Sequence, residues 1–135
     1  MNLEEVIKKR KSVRVFQKKE VPDLEELIAL ARLSPSAGAI RGYKIIPTKE
    51  KITRIDAPLY LVICADPEAY ARYGDRGRNL YAIQDATIFG AYLQLLLVDR
   101  GLASVWIGAF REEKIKRVLG TELRPVAIIA VGYEL

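Results

Sequence analysis

The sequence predicts an α+β domain with a central sheet, as two apolar runs and the helical segments around them indicate. Leu59–Ala65 and Val126–Val131 are continuously apolar, which is typical of strands buried on both faces of a sheet. Apolar side chains at helical spacing occur before and between these runs. With 135 residues, of which 50% are hydrophobic, the chain is expected to form a single domain that spans residues 1–135.

Two short helices are predicted before the first apolar run. Asn2 and Glu5 form a capping box, which predicts a helix that ends near Lys9. An extended segment through Phe16 follows, and Asp23 is then expected to be the N-cap of a second helix. The apolar stripe of this second helix comprises Leu24, Leu27, Ile28 and Ala31.

The rest of the chain is predicted to alternate loops, strands and helices. Ser34 and Pro35 end the second helix, and a loop of small residues leads into a strand that begins at Tyr43. The charged segment Arg72–Asn79 contains two glycines and is expected to be a mobile connection. After the long helix described next, we expect the strand Ala103–Gly108, the helix Glu112–Leu119 and the last strand Val126–Val131.

The predicted helix Asn79–Asp99 carries a signal for self-association. Between Ala86 and Val98 its clearly polar side chains are only those of Thr87 and Gln94, so this part is apolar on almost every side. One small domain offers too little surface to bury such a helix on every side, whereas a second copy packed along it would bury the rest of its apolar surface. The sequence therefore predicts an obligate homodimer.

The most informative cluster in the sequence is Arg10, Lys11, Ser12 and Arg14, which we name the clamp. Two guanidinium groups flank a hydroxyl, and guanidinium forks bind phosphate oxygens bidentately. The first 20 residues hold seven basic and three acidic side chains, so this end carries most of the formal net charge of +5. We interpret the clamp as a site for a phosphorylated ligand. The alternatives are a solvated face and a polyanion-binding patch over Lys8–Lys19.

Composition excludes several classes of chemistry. The chain has no histidine, which removes histidine-based catalytic triads and most zinc sites, and no metal site is expected. Its single cysteine, Cys64, lies in an apolar run, so no internal disulfide can form and the thiol is expected to be inert packing. No signal peptide opens the chain, and the apolar stretch Ala86–Val98 is too short to span a membrane. We therefore expect a cytoplasmic protein with no membrane or nucleic-acid partner.

Three segments, together with the long helix, carry a resemblance to a known family. They are the clamp, the loop Ser34-Pro35-Ser36-Ala37-Gly38 and the stretch Gly101–Phe110, whose sequence is GLASVWIGAF. They occur with Gln84-Asp85-Ala86 at the start of the long helix and with the ending Val131-Gly132-Tyr133. The set resembles the nitroreductase family of FMN-dependent oxidoreductases. That resemblance implies a three-layer α-β-α sandwich with a central mixed sheet, which dimerises through the long apolar helix.

The resemblance also implies which residues contact FMN. The clamp would bind the ribityl phosphate and the pyrimidine side of FMN. Ser36–Gly38 would reach the flavin from the other subunit, so the site would straddle the dimer interface. The backbone at Ile107 and Gly108 would lie beside flavin N5. Arg41 would reach the pyrimidine carbonyls or the phosphate, or would be an exposed loop arginine.

By the same resemblance, the reaction is a hydride transfer. NADH or NADPH would reduce flavin N5 and leave, and an electron-poor small molecule such as a nitroaromatic or a quinone would then bind. This ping-pong sequence needs no catalytic side chain, because the flavin performs the chemistry. Two other functions stay open, namely a non-catalytic flavin-binding or regulatory module, suggested by the short chain, and a polyanion-binding protein.

Overall fold

Four strands form one sheet with helices on both of its faces. The structure, a computed structural model, describes residues 1–135. The strands are β1 (Tyr43–Thr48), β2 (Leu59–Ala65), β3 (Ala103–Ile107) and β4 (Arg124–Gly132), in the order β1-β2-β4-β3. The helices are α1 (Leu3–Lys9), α2 (Glu25–Ala31), the short α3 (Gly74–Arg76), α4 (Ala82–Asp99) and α5 (Glu112–Leu119). Helices and sheet together confirm the predicted α+β class.

The two central strands, β2 and β4, send alternate side chains into two separate cores. On one face of the sheet, Ile63 and Ile129 pack in a cluster with residues of α2 and with Phe89 of α4. On the other face, Val62 packs in a second cluster that includes Ile115 of α5. The apolar runs are continuous because both faces of these strands are covered. The predicted α-β-α layering is therefore observed.

All strand pairings in the sheet are antiparallel, which corrects the expectation of a mixed sheet. A parallel pairing occurs only as an isolated bridge between Ser12 and Ser104, where the Val13 N–H donates to the Ser104 carbonyl at 3.0 Å. The N-terminal segment does not continue as a parallel strand, because Phe16 forms its own antiparallel bridge with Glu134. The segment therefore follows the edge of β3 at one residue pair only.

Predicted and observed boundaries agree where the local signal is strong. β2 and α5 match their predicted ranges, and the capping box begins α1, with the Glu5 N–H donating to Asn2 Oδ1 at 2.9 Å. α2 begins one residue later than expected, so Leu24 rather than Asp23 is its N-cap. Asp23 still accepts the N–H of Glu25 at 3.0 Å. The Leu24 side chain is buried in the core, and this burial fixes how the chain enters the helix.

The segment before α4 is helical, which corrects the expectation of a mobile connection at Arg72–Asn79. Pro67–Tyr73 forms 3₁₀ turns, α3 follows, and Gly77–Tyr81 is a π-helical turn that runs directly into α4. Tyr70 anchors the segment, because its side chain is completely buried. The glycines and charges of this segment are therefore compatible with close packing against the core.

α4 buries one side in the core and leaves an apolar stripe on the surface. Eight of its 18 residues are buried, whereas Ile88, Ala91 and Tyr92 are exposed and Leu95 is half-buried. By length and composition alone, the helical run Pro67–Asp99 could cross a membrane, whereas the shorter apolar stretch Ala86–Val98 predicted that it could not. Half of the most apolar 18-residue segment of this run is nevertheless buried inside the fold. Such burial is typical of a core helix. The exposed stripe is the surface that the sequence predicts to meet a second copy.

Candidate functional site

The clamp lies in an extended segment along the outer edge of β3. Arg10 is the C-cap residue of α1, and Ser12 forms the bridge to β3. The guanidinium groups of Arg10 and Arg14 are exposed and have no carboxylate within ion-pair distance, whereas Lys11 pairs with Glu134 at 2.7 Å. A shallow groove with a volume of about 320 Å³ runs along the segment. Two unpaired guanidinium forks and an exposed hydroxyl therefore face solvent at one strand edge.

The far end of β3 opens into a broad groove. Ile107 and Phe110 line it together with the segment Glu50–Ile55 and α5, and its volume is about 900 Å³. The cations that line the groove are Lys51, Arg54, Arg111 and Lys114. Gly108 is exposed, and a Cβ added there would meet nothing closer than Trp106 Nε1 at 3.9 Å. The protein itself leaves the space above Gly108 open.

A buried carboxylate in the first turn of α4 holds the loop Ser36–Gly42, which we name the small-residue loop. Asp85, only 4% exposed, accepts hydrogen bonds from the Ser36 hydroxyl at 2.5 Å, the Tyr70 hydroxyl at 2.7 Å and the Ala37 N–H at 3.1 Å. Burial and the hydrogen bond to Asp85 raise the pKa of Tyr70 above its ordinary value, so this hydroxyl stays a neutral donor. The Asp85 carboxylate thus accepts hydrogen bonds from three donors and has no ion pair with a basic side chain.

The same network holds the far end of the loop in a strained conformation. The Ser36 hydroxyl accepts the N–H of Arg41 at 2.8 Å, and the Tyr70 hydroxyl accepts the N–H of Gly42 at 2.9 Å. The backbone of Ala39 and Arg41 is left-handed, with φ of 57° and 50°. Such a conformation costs a residue other than glycine about 1–2 kcal/mol. The hydrogen bonds that Asp85, Ser36 and Tyr70 accept from the loop and from one another therefore impose the shape of the loop.

Arg41 and Gly38 are held within the chain by different partners. The Arg41 guanidinium donates to the carbonyl of Arg32 and, at 3.4 Å, to that of Ser34, so it caps the end of α2 and does not extend from the loop. Gly38 is exposed, and its carbonyl accepts from Arg72 Nη2 at 3.2 Å. A Cβ on Gly38 would lie 1.8 Å from that nitrogen, and φ is 53°, so a larger residue would displace the Arg72 side chain and add backbone strain.

Within one chain, α4 separates the small-residue loop from β3. Gln94 donates to Ser104 Oγ at 3.1 Å, and Gly90 lies directly against the Trp106 ring, so Gly90 and Gln94 mark the side of α4 that faces β3. At about 100° per residue, Asp85 projects roughly 180° around the helix from Gln94. The loop therefore lies on the opposite side of α4 from the clamp and Ile107, and a single chain does not bring them together.

Two residues of the site were not expected from the sequence. In the sequence, Asp85 belongs to the start of the long helix, and an acidic residue in a nearly all-apolar helix is itself a signal, because a buried carboxylate needs hydrogen-bond donors. Tyr70 gives no such signal. Its hydrogen-bond partners Asp85 and Gly42 are 15 and 28 residues away in the chain.

The residues present fit a flavin mononucleotide. A phosphate matches the unpaired guanidinium forks of the clamp, and a flat ring matches the open space above Gly108. Ser104 beside the clamp and Gly108 are four positions apart along the same edge of the sheet, about 13 Å at ~3.3 Å per residue. One elongated ligand can therefore contact both.

Comparison with known proteins gives a consistent set of matches. The model of the nitroreductase family matches residues 48–133 of the chain. An NADH dehydrogenase of Thermus thermophilus is 26% identical over 170 aligned residues, which cover 93% of this chain and 83% of that protein. A solved nitroreductase family protein of Clostridium difficile is 31% identical, with 99% of this chain and 85% of that chain covered and a TM-score of 0.88. A solved FMN-dependent nitroreductase of Clostridium difficile is 26% identical, with 96% and 86% covered and a TM-score of 0.79.

Proposed function

Since the chain belongs to the nitroreductase family, we propose that it is an FMN-dependent oxidoreductase that carries hydride from NADH or NADPH to an electron-poor small molecule. When bound, FMN supplies the hydride chemistry at its N5 atom. The observation that carries the proposal is that the unpaired guanidinium groups of the clamp lie at the same sheet edge as the open space above Gly108. A nitroaromatic or a quinone is the acceptor class that the proposal names.

Each clamp residue has a distinct role in this proposal. The guanidinium groups of Arg10 and Arg14 bind the phosphate oxygens, because both are exposed and free of carboxylates. The Ser12 hydroxyl, exposed between them, supplies a further donor. Lys11 pairs with Glu134 at 2.7 Å and so offsets the one carboxylate that lines this groove.

Two copies of the chain are needed to complete the site. The small-residue loop and β3 lie on opposite sides of α4, so the loop of one copy serves the flavin held by its partner. The exposed stripe on α4 supplies the apolar contact between copies, with Ile88 and Tyr92 36% and 43% exposed in the single chain. The proposal includes one FMN-binding domain over residues 1–135 and a location in the cytoplasm.

The visible spectrum of the purified protein tests the proposal directly. Protein reconstituted with FMN is expected to retain the flavin absorbance after desalting and to lose it under anaerobic conditions when NADH or NADPH is added. Colourless protein after reconstitution would contradict the proposal. A bound flavin that neither donor bleaches would instead favour the non-catalytic flavin-binding module.

A charge-matched pair of double variants tests the role of the clamp. R10A/R14A removes the two unpaired guanidinium groups, each of which contributes about 1.5–3 kcal/mol through charge-assisted bonds, so the Kd for FMN is expected to rise by about 10²- to 10⁴-fold. K8A/K18A removes the same charge from the same end and is expected to leave the Kd nearly unchanged, because Lys8 already pairs with Glu4 at 2.9 Å. Equal losses in both variants would indicate a diffuse polyanion-binding patch instead.

A further inference from the structure

Two arginines and two tyrosines lie together beside the small-residue loop. They are Arg72, Tyr73, Arg76 and Tyr81, which we name the Arg–Tyr cluster. The two tyrosine rings meet edge to face with centroids 5.3 Å apart. The Arg72 guanidinium lies 5.0 Å from the centroid of the Tyr73 ring, and that of Arg76 lies 5.9 Å from the centroid of the Tyr81 ring. Both arginines are exposed, so each guanidinium is supported by a ring and open to solvent.

Neither arginine of the cluster has a carboxylate partner. The ion pairs of this segment belong to Arg78, which lies 3.2 Å from Glu68 and 3.7 Å from Asp75. Arg72 donates only to neutral acceptors, the Gly38 carbonyl at 3.2 Å and the Tyr73 hydroxyl at 3.3 Å. A guanidinium has five N–H donors in a fixed fork, so most of those on Arg72 and Arg76 are free for an anion.

We infer that the Arg–Tyr cluster binds the phosphates of the nicotinamide dinucleotide and thereby sets the affinity for NADH or NADPH. The inference rests on the proposed function, which places the small-residue loop against the flavin of the partner copy. Arg72 contacts Gly38 in that loop, so the cluster stands at the rim of the shared site. In the proposed arrangement, a dinucleotide whose nicotinamide lies against that flavin places its diphosphate at this rim.

The chemistry of the cluster matches a dinucleotide better than a small acceptor. Diphosphate oxygens accept from guanidinium forks, and an adenine base stacks on a tyrosine face such as that of Tyr73, which is 39% exposed. A nitroaromatic or quinone acceptor carries no phosphate. The cluster therefore contributes to binding of the hydride donor, while the clamp contributes to binding of FMN.

Steady-state kinetics of the FMN-loaded protein with three hydride donors tests this inference. The donors are NADH, NADPH and an N-benzyl dihydronicotinamide, which carries no phosphate. R76A is expected to raise the KM for NADH and NADPH by about tenfold or more, since a charge-assisted bond to phosphate is lost. Its FMN content and its KM for the phosphate-free donor are expected to match those of R78A. That control removes an equally charged neighbour that is already paired with Glu68 and Asp75.

R72A provides a second, independent measurement. If R72A raises the KM for NADPH alone, the cluster binds the 2′-phosphate. If it raises the KM for NADH and NADPH equally, the cluster binds the diphosphate. Both results support the inference. KM values for both dinucleotides within twofold of R78A, in R72A and in R76A, would overturn it, as would an equal rise for the phosphate-free donor. Wild-type protein that binds no FMN, or oxidises no donor, would refute the proposed function instead.

Discussion

Replacing Asp85 with asparagine tests whether one buried carboxylate shapes the small-residue loop. Oδ2 accepts both hydroxyls, from Ser36 at 2.5 Å and Tyr70 at 2.7 Å, and the Ala37 N–H is shared between Oδ2 at 3.1 Å and Oδ1 at 3.2 Å. If the asparagine oxygen takes the Oδ2 position, the asparagine NH₂ group takes the Oδ1 position and faces the Ala37 N–H. Hydrogen bonds to a charged group contribute about 1.5–3 kcal/mol, roughly twice as much as neutral ones. The Ala37 N–H loses one of its two acceptor oxygens and the remaining bonds are weakened, while the cost of burying a charge is relieved, so the free energy of unfolding should fall by about 2–3 kcal/mol.

Urea unfolding measures this change. The titrations need one protein concentration and FMN-free protein, because dimerisation and ligand binding both shift apparent stability and a changed Kd for FMN would add to the measured difference. D99N is the matched control, since it makes the same chemical change on the same helix at an exposed carboxylate whose ion pair is with the N-terminal amine at 3.7 Å. We expect D99N to change stability by less than about 0.5 kcal/mol. A free energy of unfolding for D85N that lies within about 0.5 kcal/mol of that for D99N would refute the reasoning.

The loop network also predicts coupling between Asp85 and Tyr70. Y70F removes one donor to the carboxylate and the acceptor for the Gly42 N–H, so the loss in the double variant D85N/Y70F should be smaller than the sum of the single losses. Additive losses would show that the two side chains act separately. D85N should in addition raise the Kd for FMN, because a loop with left-handed residues relaxes once its hydrogen bonds weaken.

Three further outcomes test other parts of the structure. Gly108→Val should leave the free energy of unfolding within about 0.5 kcal/mol of wild type, because the added side chain meets open space within the chain. The same side chain would fill the space proposed for the flavin ring, so the variant should not retain FMN on desalting. A large loss of stability would contradict this prediction. Tyr92→Glu should yield monomers without FMN in analytical ultracentrifugation, and an intact dimer would exclude the α4 stripe as the interface. Burial raises the pKa of the Cys64 thiol from 9.0 to about 11. Because the thiol is neutral in the folded state up to about pH 11 but ionises above pH 9 in the unfolded state, its contribution to the free energy of unfolding is full below pH 9. That contribution is lost as the pH rises from 9 to about 11, by up to about 2.7 kcal/mol. Cys64→Ala should remove this loss, and an unchanged pH dependence would assign it to other groups.

Elements defined by neighbouring residues could be predicted from the sequence. β2 lies between Pro58 and Asp66-Pro67, and its seven residues are all apolar, so its bounds depend on local chemistry alone. The same holds for α5, which begins with two acidic residues and ends at Gly120 in a left-handed conformation. The capping box of α1 is likewise complete within four residues of sequence, from Asn2 to Glu5.

Features that join distant segments could not be predicted in this way. Strand direction depends on how connections cross the sheet, and the parallel segment at Ser12 stops after one bridge because Phe16 pairs elsewhere. The contact between Ser36 and Asp85 spans 49 residues. Arg41 could be interpreted from sequence as a ligand contact or as an exposed loop residue. In the structure it is half-buried and donates to the carbonyls of Arg32 and Ser34, just after α2, an arrangement set by the strained backbone around it.

In the proposed dimer, the position of α4 explains why an apolar helix and a site divided between two copies occur in the same chain. Asp85 and Gln94 lie on opposite sides of this helix, and the exposed stripe through Ile88 and Leu95 lies between them, about 70° from Asp85 and about 110° from Gln94 at 100° per residue. In the proposed dimer, a two-fold axis that runs beside the stripe and parallel to α4 would bring the loop side of one copy next to the β3 side of the other. Contacts between copies and contacts with FMN would then involve the same helix. By linkage, FMN would strengthen that dimer by the same factor by which dimerisation strengthens FMN binding.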